Sequence, residues 1–133
     1  MEKSYKQLVV WQRSIELVNE VYRLTQDFPT TEKFGLVSQM RRCAVSIPSN
    51  IAEGYKRRKI GEYLHFLGIA DASSAELETQ LIISKTNFSL SDYEKAESLL
   101  VEVQKMLFVL IRRLSEKTTT LRPCTRSDTF RTH

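Results

Sequence analysis

Four stretches of this chain repeat apolar residues at alternating spacings of three and four, and only short polar breaks separate them. That period is the signature of a helix with one buried face, and no stretch shows the strict alternation of a half-buried strand. The first stretch, Gln7 to Gln26, carries Leu8, Trp11, Ile15, Val18, Tyr22 and Thr25 as its seam. Asp27-Phe28-Pro29-Thr30 ends it, because proline disfavours helical geometry in the residue before it. The second should begin at Thr30 or Thr31, either of which can cap, and its seam reads Val37, Met40, Ala44, Ile47, Ile51, Tyr55. Pro48 falls inside it and removes the bond to the Ala44 carbonyl, so a kink is expected there rather than two helices. The third runs from Gly61 to about Lys85 on Tyr63, Leu67, Ala70, Ser74, Leu77 and Leu81. A capping box of Ser91 and Glu94 opens the fourth, whose seam is Ala96, Leu100, Val103, Leu107, Leu110 and Leu114.

Three short connections favour antiparallel neighbours, so the expected fold is an all-α, up-down-up-down four-helix bundle over residues 1–117. Residues 118–133 are polar, threonine-rich and aperiodic, and are expected to form a disordered tail. At 133 residues the chain has the length of one domain. No apolar run approaches the ~20 residues that span a bilayer, and the polar start has no signal-peptide core, so cytoplasmic residence is expected.

A second set of apolar positions exceeds what one core can bury. In the first helix Val10, Leu17, Val21 and Leu24 form a row nearly opposite the seam, and in the third Phe66 and Ile69 lie off it. These six residues are the candidate surface for self-association.

Antiparallel threading gathers the start of the first helix, the second connection and the end of the fourth helix at one pole. There Lys3, Lys6, Lys56, Arg57, Arg58, Lys59, Arg112, Arg113 and Lys117 set nine positive charges against four negative ones. The opposite pole is mildly acidic, although the whole chain has a net charge of +4. A basic pole is the electrostatic footprint of a phosphate-backbone binder, while the same run of cations also suits a solvated loop. Arg41 and Arg42 either join the phosphate contacts or pair with Glu53, Glu76 or Glu78. The polar stripe Arg42, Ser46, Ser49, Asn50 and Glu53 on the second helix suits an oligomer contact, a lumen or a wet surface alike.

The residues that could carry catalysis are sparse. Glu62-x-x-His65 has the spacing of a carboxylate–histidine metal pair, but a di-iron bundle needs two such motifs and the only other histidine is His133. Cys43 has no histidine in its segment to activate it, and Cys43 and Cys124 give neither a disulfide framework nor a zinc site. The four glycines are isolated, which leaves no phosphate-cradling loop. The expectation is a protein with no cofactor, no metal and no enzymatic activity.

Beyond these patterns, Leu8-Val9-Val10-Trp11-Gln12, Phe28-Pro29…Glu32-Lys33-Phe34-Gly35-Leu36 and above all Gln39-Met40-Arg41-Arg42-Cys43-Ala44-Val45-Ser46-Ile47-Pro48-Ser49-Asn50-Ile51-Ala52-Glu53-Gly54 resemble the 23S rRNA intervening sequence proteins. Glu62 to Leu67 and Ala75 to Leu81 continue the likeness. The resemblance implies bacterial origin, a four-helix bundle similar in fold to the accessory variability protein of diversity-generating retroelements, and a ring-shaped homo-oligomer, a pentamer. The partner expected from the basic pole is RNA or DNA, with a protein-binding scaffold as the alternative.

Overall fold

The computed structural model describes residues 4–121. Its four helices are α1 (Val9–Thr25), α2 (Ser38–Tyr55), α3 (Ile60–Asn87) and α4 (Glu94–Leu121), and there is no strand among the described residues. Each helix packs on two others, in the cyclic order α1, α2, α3, α4 and back to α1. The core between them is made by Leu17, Val21, Met40, Ile47, Ile51, Leu67, Leu77, Val103 and Leu107, all shut off from solvent. The seams of α2, α3 and α4 are buried at the positions that the periodicity predicts, except that Tyr55, Tyr63, Leu110 and Leu114 are only half-buried.

In α1 the two apolar rows exchange roles. Val10, Leu17, Val21 and Leu24 face the core, whereas Trp11, Ile15 and Val18 are half-buried and Tyr22 is exposed; of the predicted seam within α1 only Thr25 is buried. The core row also includes Ser14, which is fully buried and donates to the Trp11 carbonyl at 2.7 Å. That bond removes the penalty of burying a hydroxyl, so a polar residue can occupy a core position. The displaced row packs at the flank: Arg41 of α2 lies over the Tyr22 ring at 4.5 Å and donates to Thr25 Oγ1 at 3.0 Å.

Polar contacts fix the pairing of the other helices. Between α2 and α3, Ser84 Oγ reaches Met40 Sδ, Cys43 reaches Glu76, and Ser46 reaches Ser73. Between α3 and α4, Gln104 bonds Glu78 and Lys85 bonds Glu97. Between α1 and α4, Arg13 pairs with Glu102 at 3.0 Å and Glu20 with Lys95 at 3.5 Å. In all three pairs the residue numbers rise along one helix as they fall along its neighbour.

The helix ends depart from the sequence reading in four places. Thr30–Glu32 forms a single tight turn, followed by an irregular wide turn over Lys33–Val37 in which Gly35 is non-helical (φ −104°, ψ −107°). Regular α2 therefore starts at Ser38, beyond either predicted cap, and then continues through the buried Pro48. At the start of α4 the Glu94 N–H is held by Asp92 Oδ1 at 3.1 Å, in place of the expected Ser91–Glu94 box. A complete capping box does occur, unforeseen, around the short turn Tyr5–Gln7, where Ser4 and Gln7 hold each other's backbone N–H groups. Helix α4 runs on to Leu121, past the predicted boundary at Lys117, and the rest of the expected tail lies outside the described residues.

Candidate nucleic-acid interface

Four residues, Lys56 to Lys59, join α2 to α3. The helices can meet so closely because residue 54 is glycine: a Cβ there would lie 2.9 Å from Phe66 Cβ and 3.2 Å from the Tyr63 carbonyl. Tyr55 and Tyr63 stack edge-to-face above this crossing, with ring centres 6.1 Å apart, and burial raises the Tyr63 phenol above its ordinary pKa. The turn is thus pinned by packing on both sides, and its cations divide into two kinds.

Arg57 is held by its own chain. It bonds Glu53 at 3.1 Å, lies 3.8 Å from Glu62, and its guanidinium covers the Phe66 ring at 4.7 Å. Lys56, Arg58 and Lys59 are exposed, and none has an ion pair among the described residues. Lys59 is also the residue preceding α3, with extended backbone and no side-chain bond to the first turn. The opening N–H groups of α3 are therefore left to solvent beside three unpaired cations.

The other cations predicted for this end reach it from α4. Arg113 is exposed and lines a hollow of about 480 Å³ with Leu8, Val9 and Val10 at the start of α1. Arg112 lies 3.8 Å from Glu116 and partly over the Phe108 ring. The turn Tyr5–Gln7, which carries Lys6, touches α2 as well as α1. The later part of α4 thus lies beside the start of α1, and the short turn before α1 touches α2.

Arg41 and Arg42 do not belong to this end. They sit in the first turns of α2, some fourteen residues from Lys56, or about 21 Å at the helical rise. Arg41 is committed to Thr25 and to the Tyr22 carbonyl, not to any of the three glutamates considered for it. Arg42 is exposed and borders a polar cleft of about 330 Å³ between α2 and α3, with Gln39, Cys43, Ser46, Ser73, Glu76 and Gln80. The polar stripe on α2 thereby finds partners in its own chain: Ser46 and Ser73 share a hydrogen bond at 2.9 Å, and Asn50 donates to Ser46. The Cys43 thiol donates to Glu76 Oε2 at 3.0 Å and to the Ser73 carbonyl at 3.1 Å. Burial first, and the neighbouring carboxylate second, push this thiol up to about 12, so it is protonated and unreactive at neutral pH.

The candidate self-association surface is corrected in the same way. Val10, Leu17, Val21 and Leu24 are consumed by the core of the single chain and have no surface left for a second copy. Phe66 is half-buried beneath Arg57, and of the six only Ile69, at 37 % exposure, stands open. The other exposed apolar residues are Val9 and Tyr22 on α1, Val45 on α2, Ile82, Ile83, Val101 and Phe108 on α3 and α4, and Phe34 and Leu90 in the connections. The excess apolar content of α3 was visible in the sequence, but Leu90 had no periodic signal to mark it.

Among the described residues no group of three or more His, Cys, Asp or Glu is placed to hold a metal ion, and no helix is long and apolar enough to cross a membrane. None of the curated proteins matches this chain. A crystal structure of a protein of unknown function from the S23 ribosomal protein family of Bacteroides thetaiotaomicron is similar at TM-score 0.68 and 25 % identity, over 78 % of this chain and 96 % of that one. The family model of the 23S rRNA-intervening sequence protein matches residues 6–109, which takes in α1, α2, α3 and most of α4. The chain therefore belongs to the 23S rRNA-intervening sequence protein family.

Proposed function

We propose that this chain is a non-enzymatic, homo-oligomeric, cytoplasmic interaction protein that binds nucleic acid, RNA foremost, through the basic end of the bundle. The observation that carries the reading is the turn between α2 and α3. There Lys56, Arg58 and Lys59 are exposed without ion pairs, next to the uncapped start of α3 and on the same end as Arg113. Exposed cations and open N–H groups suit phosphate oxygens whatever the base sequence. The antiparallel up-down-up-down order supports this convergence, since it returns every second helix end to one pole. A bend at Pro48 belongs to the same reading of α2.

The oligomer part of the proposal, a ring and by resemblance a pentamer, is supported by the apolar surface that α3 and α4 leave open. Repeating the basic end around such an assembly would raise avidity without any new contact.

Fluorescence anisotropy with an RNA hairpin and a DNA duplex across a salt series tests the nucleic-acid part. Affinity should fall steeply with salt, and replacing Lys56, Arg58 and Lys59 together by Gln should flatten the log–log slope for the duplex by about 2 to 3, near one per lost phosphate contact. Absent or salt-independent binding would refute it.

A second reading, a scaffold for another protein, is favoured by Phe34 and Leu90, which are almost wholly exposed in connections at the other end. It predicts a stoichiometric protein partner that survives nuclease treatment.

A further inference from the structure

Helix α3 is apolar on its outer face as well as on its core face. Away from the core it presents a hollow of about 540 Å³ lined by Leu64, His65, Gly68, Ile69, Ala72 and Ser73, with Glu76 at its edge. Gly68 lies mid-helix, where glycine is less favourable than alanine. Nothing in the same chain comes within 4 Å of where its Cβ would be, so the fold of the single chain does not require a glycine there. The floor of the hollow is small where the chain itself has no use for smallness. Through Ser73 and Glu76 the hollow continues into the polar cleft beside α2. Gln80 lines that cleft; it is 8 % exposed, and its Oε1 has no hydrogen-bond partner. A donor arriving from outside would satisfy it.

The outer face of α4 has the opposite character. Phe108 is 63 % exposed and Val101 46 %, with Lys105 between them and Arg112 one turn beyond. It is an aromatic knob flanked by cations. Charge complements this locally: α3 carries Glu62, Asp71, Glu76 and Glu78 with Lys85 as its only Lys or Arg, whereas α4, nearly balanced as a whole, sets Lys105 and Arg112 beside Phe108, with Glu116 one turn beyond. We infer that the α4 face of one copy docks on the α3 face of the next, with Phe108 seated over Gly68 and Ala72 and with Lys105 and Arg112 turned toward the acidic side and the open Gln80 acceptor. This rests on the homo-oligomer reading above and deepens it by naming the two faces. Because they are unlike, the contact is head-to-tail and repeats from copy to copy until it closes into a ring.

Light scattering coupled to size exclusion tests the pairing. Wild-type protein should run as an oligomer, while Gly68→Leu, which fills the hollow, and Phe108→Glu, which removes the knob, should each run at the 15.5 kDa of one chain with unchanged helical circular dichroism. An equimolar mixture of the two variants should then form a species of about twice that mass, because each retains the face that the other has lost. Lys105→Glu, on the exposed face, should weaken assembly in the same direction, most strongly at low salt. Variants that keep the wild-type mass would overturn the choice of faces and leave the oligomer reading intact. A mixture that stays monomeric would overturn the head-to-tail pairing, and a monomeric wild type would overturn both.

Discussion

Replacing Gly54 by alanine tests the closest approach in the bundle. An added methyl would lie 2.9 Å from Phe66 Cβ, 3.0 Å from Tyr63 Cδ1 and 3.2 Å from the Tyr63 carbonyl oxygen. Two of these neighbours cannot swing aside: a Cβ and a backbone oxygen move only if α3 itself moves. Helical propensity favours alanine by up to about 1 kcal/mol, and by less here, because Gly54 is next to last in α2. Overpacking a well-filled contact costs typically about 1–3 kcal/mol, and separating α2 from α3 would also loosen Ile51 and Leu67 beneath. The net expectation is a loss of roughly 1–2 kcal/mol. With a urea m-value of about 1.5–2 kcal/mol/M for a chain of this size, the midpoint should fall by roughly 0.5–1.3 M. Gly61→Ala is the internal control. Nothing lies within 4 Å of its would-be Cβ, so that change should be neutral or stabilising by a few tenths of a kcal/mol. Unfolding curves followed by circular dichroism at one protein concentration decide the matter. A Gly54→Ala protein as stable as Gly61→Ala would refute the claim that residue 54 is glycine because two helices touch there.

The Cys43 thiol should impose a pH dependence on stability. Its folded pKa is raised from 9.0 to about 12, so its contribution is complete below pH 9 and is lost as pH rises toward 12, at about 1.4 kcal/mol per pH unit. Comparing wild type with Cys43→Ala at pH 8 and pH 10 cancels the other titrating groups: the wild-type advantage should shrink at pH 10, and a constant difference would contradict the assignment. Glu20→Ala should cost about 1 kcal/mol in thermal or urea unfolding, because Glu20 is 8 % exposed and holds both Arg23, at 2.7 Å, and Lys95 of α4, at 3.5 Å. A silent Glu20→Ala would mean that exposed Arg23 and Lys95 make the pair no stronger than an ordinary surface contact.

The number of helices, the seams of α2, α3 and α4, and the basic turn at Lys56–Lys59 were legible because a period of 3.6 residues and a run of like charge are local properties. What the period leaves open is which of two apolar rows faces inward. In α1 the uninterrupted row through Trp11 and Val18 looked like the seam, and the row broken by Ser14 looked like spare surface. The choice depends on facts that no count of apolar residues contains. One is that the buried Ser14 hydroxyl closes on the carbonyl three residues back. Another is that Arg41, sixteen residues beyond Thr25, reaches back to cover Tyr22. The expected start of α2 failed for a related reason, since Thr30, Thr31 and Glu32 have capping chemistry but the non-helical backbone at Gly35 delays the regular helix to Ser38.

Exchanging the rows of α1 moves the argument for self-association without removing it. If Val10, Leu17, Val21 and Leu24 had remained outside, α1 would have been the contact helix. Once they are counted in the core, most of the exposed apolar residues within helices lie on α3 and α4, where Ile82, Ile83 and Phe108 stand in solvent. Scattered exposed apolar residues are ordinary on a protein surface. Here, however, they share helix faces with a glycine that its own fold does not need, on the acid-rich α3, and with Lys105 and Arg112 on α4. A monomer gains nothing from Gly68, so alanine at that position should stabilise an isolated chain. It should do so in the Phe108→Glu background, where docking is blocked, by about 0.5–1 kcal/mol. In the wild-type background the same methyl would meet the incoming ring, and the gain should shrink or reverse. Equal gains in both backgrounds would mean that no neighbour occupies the hollow.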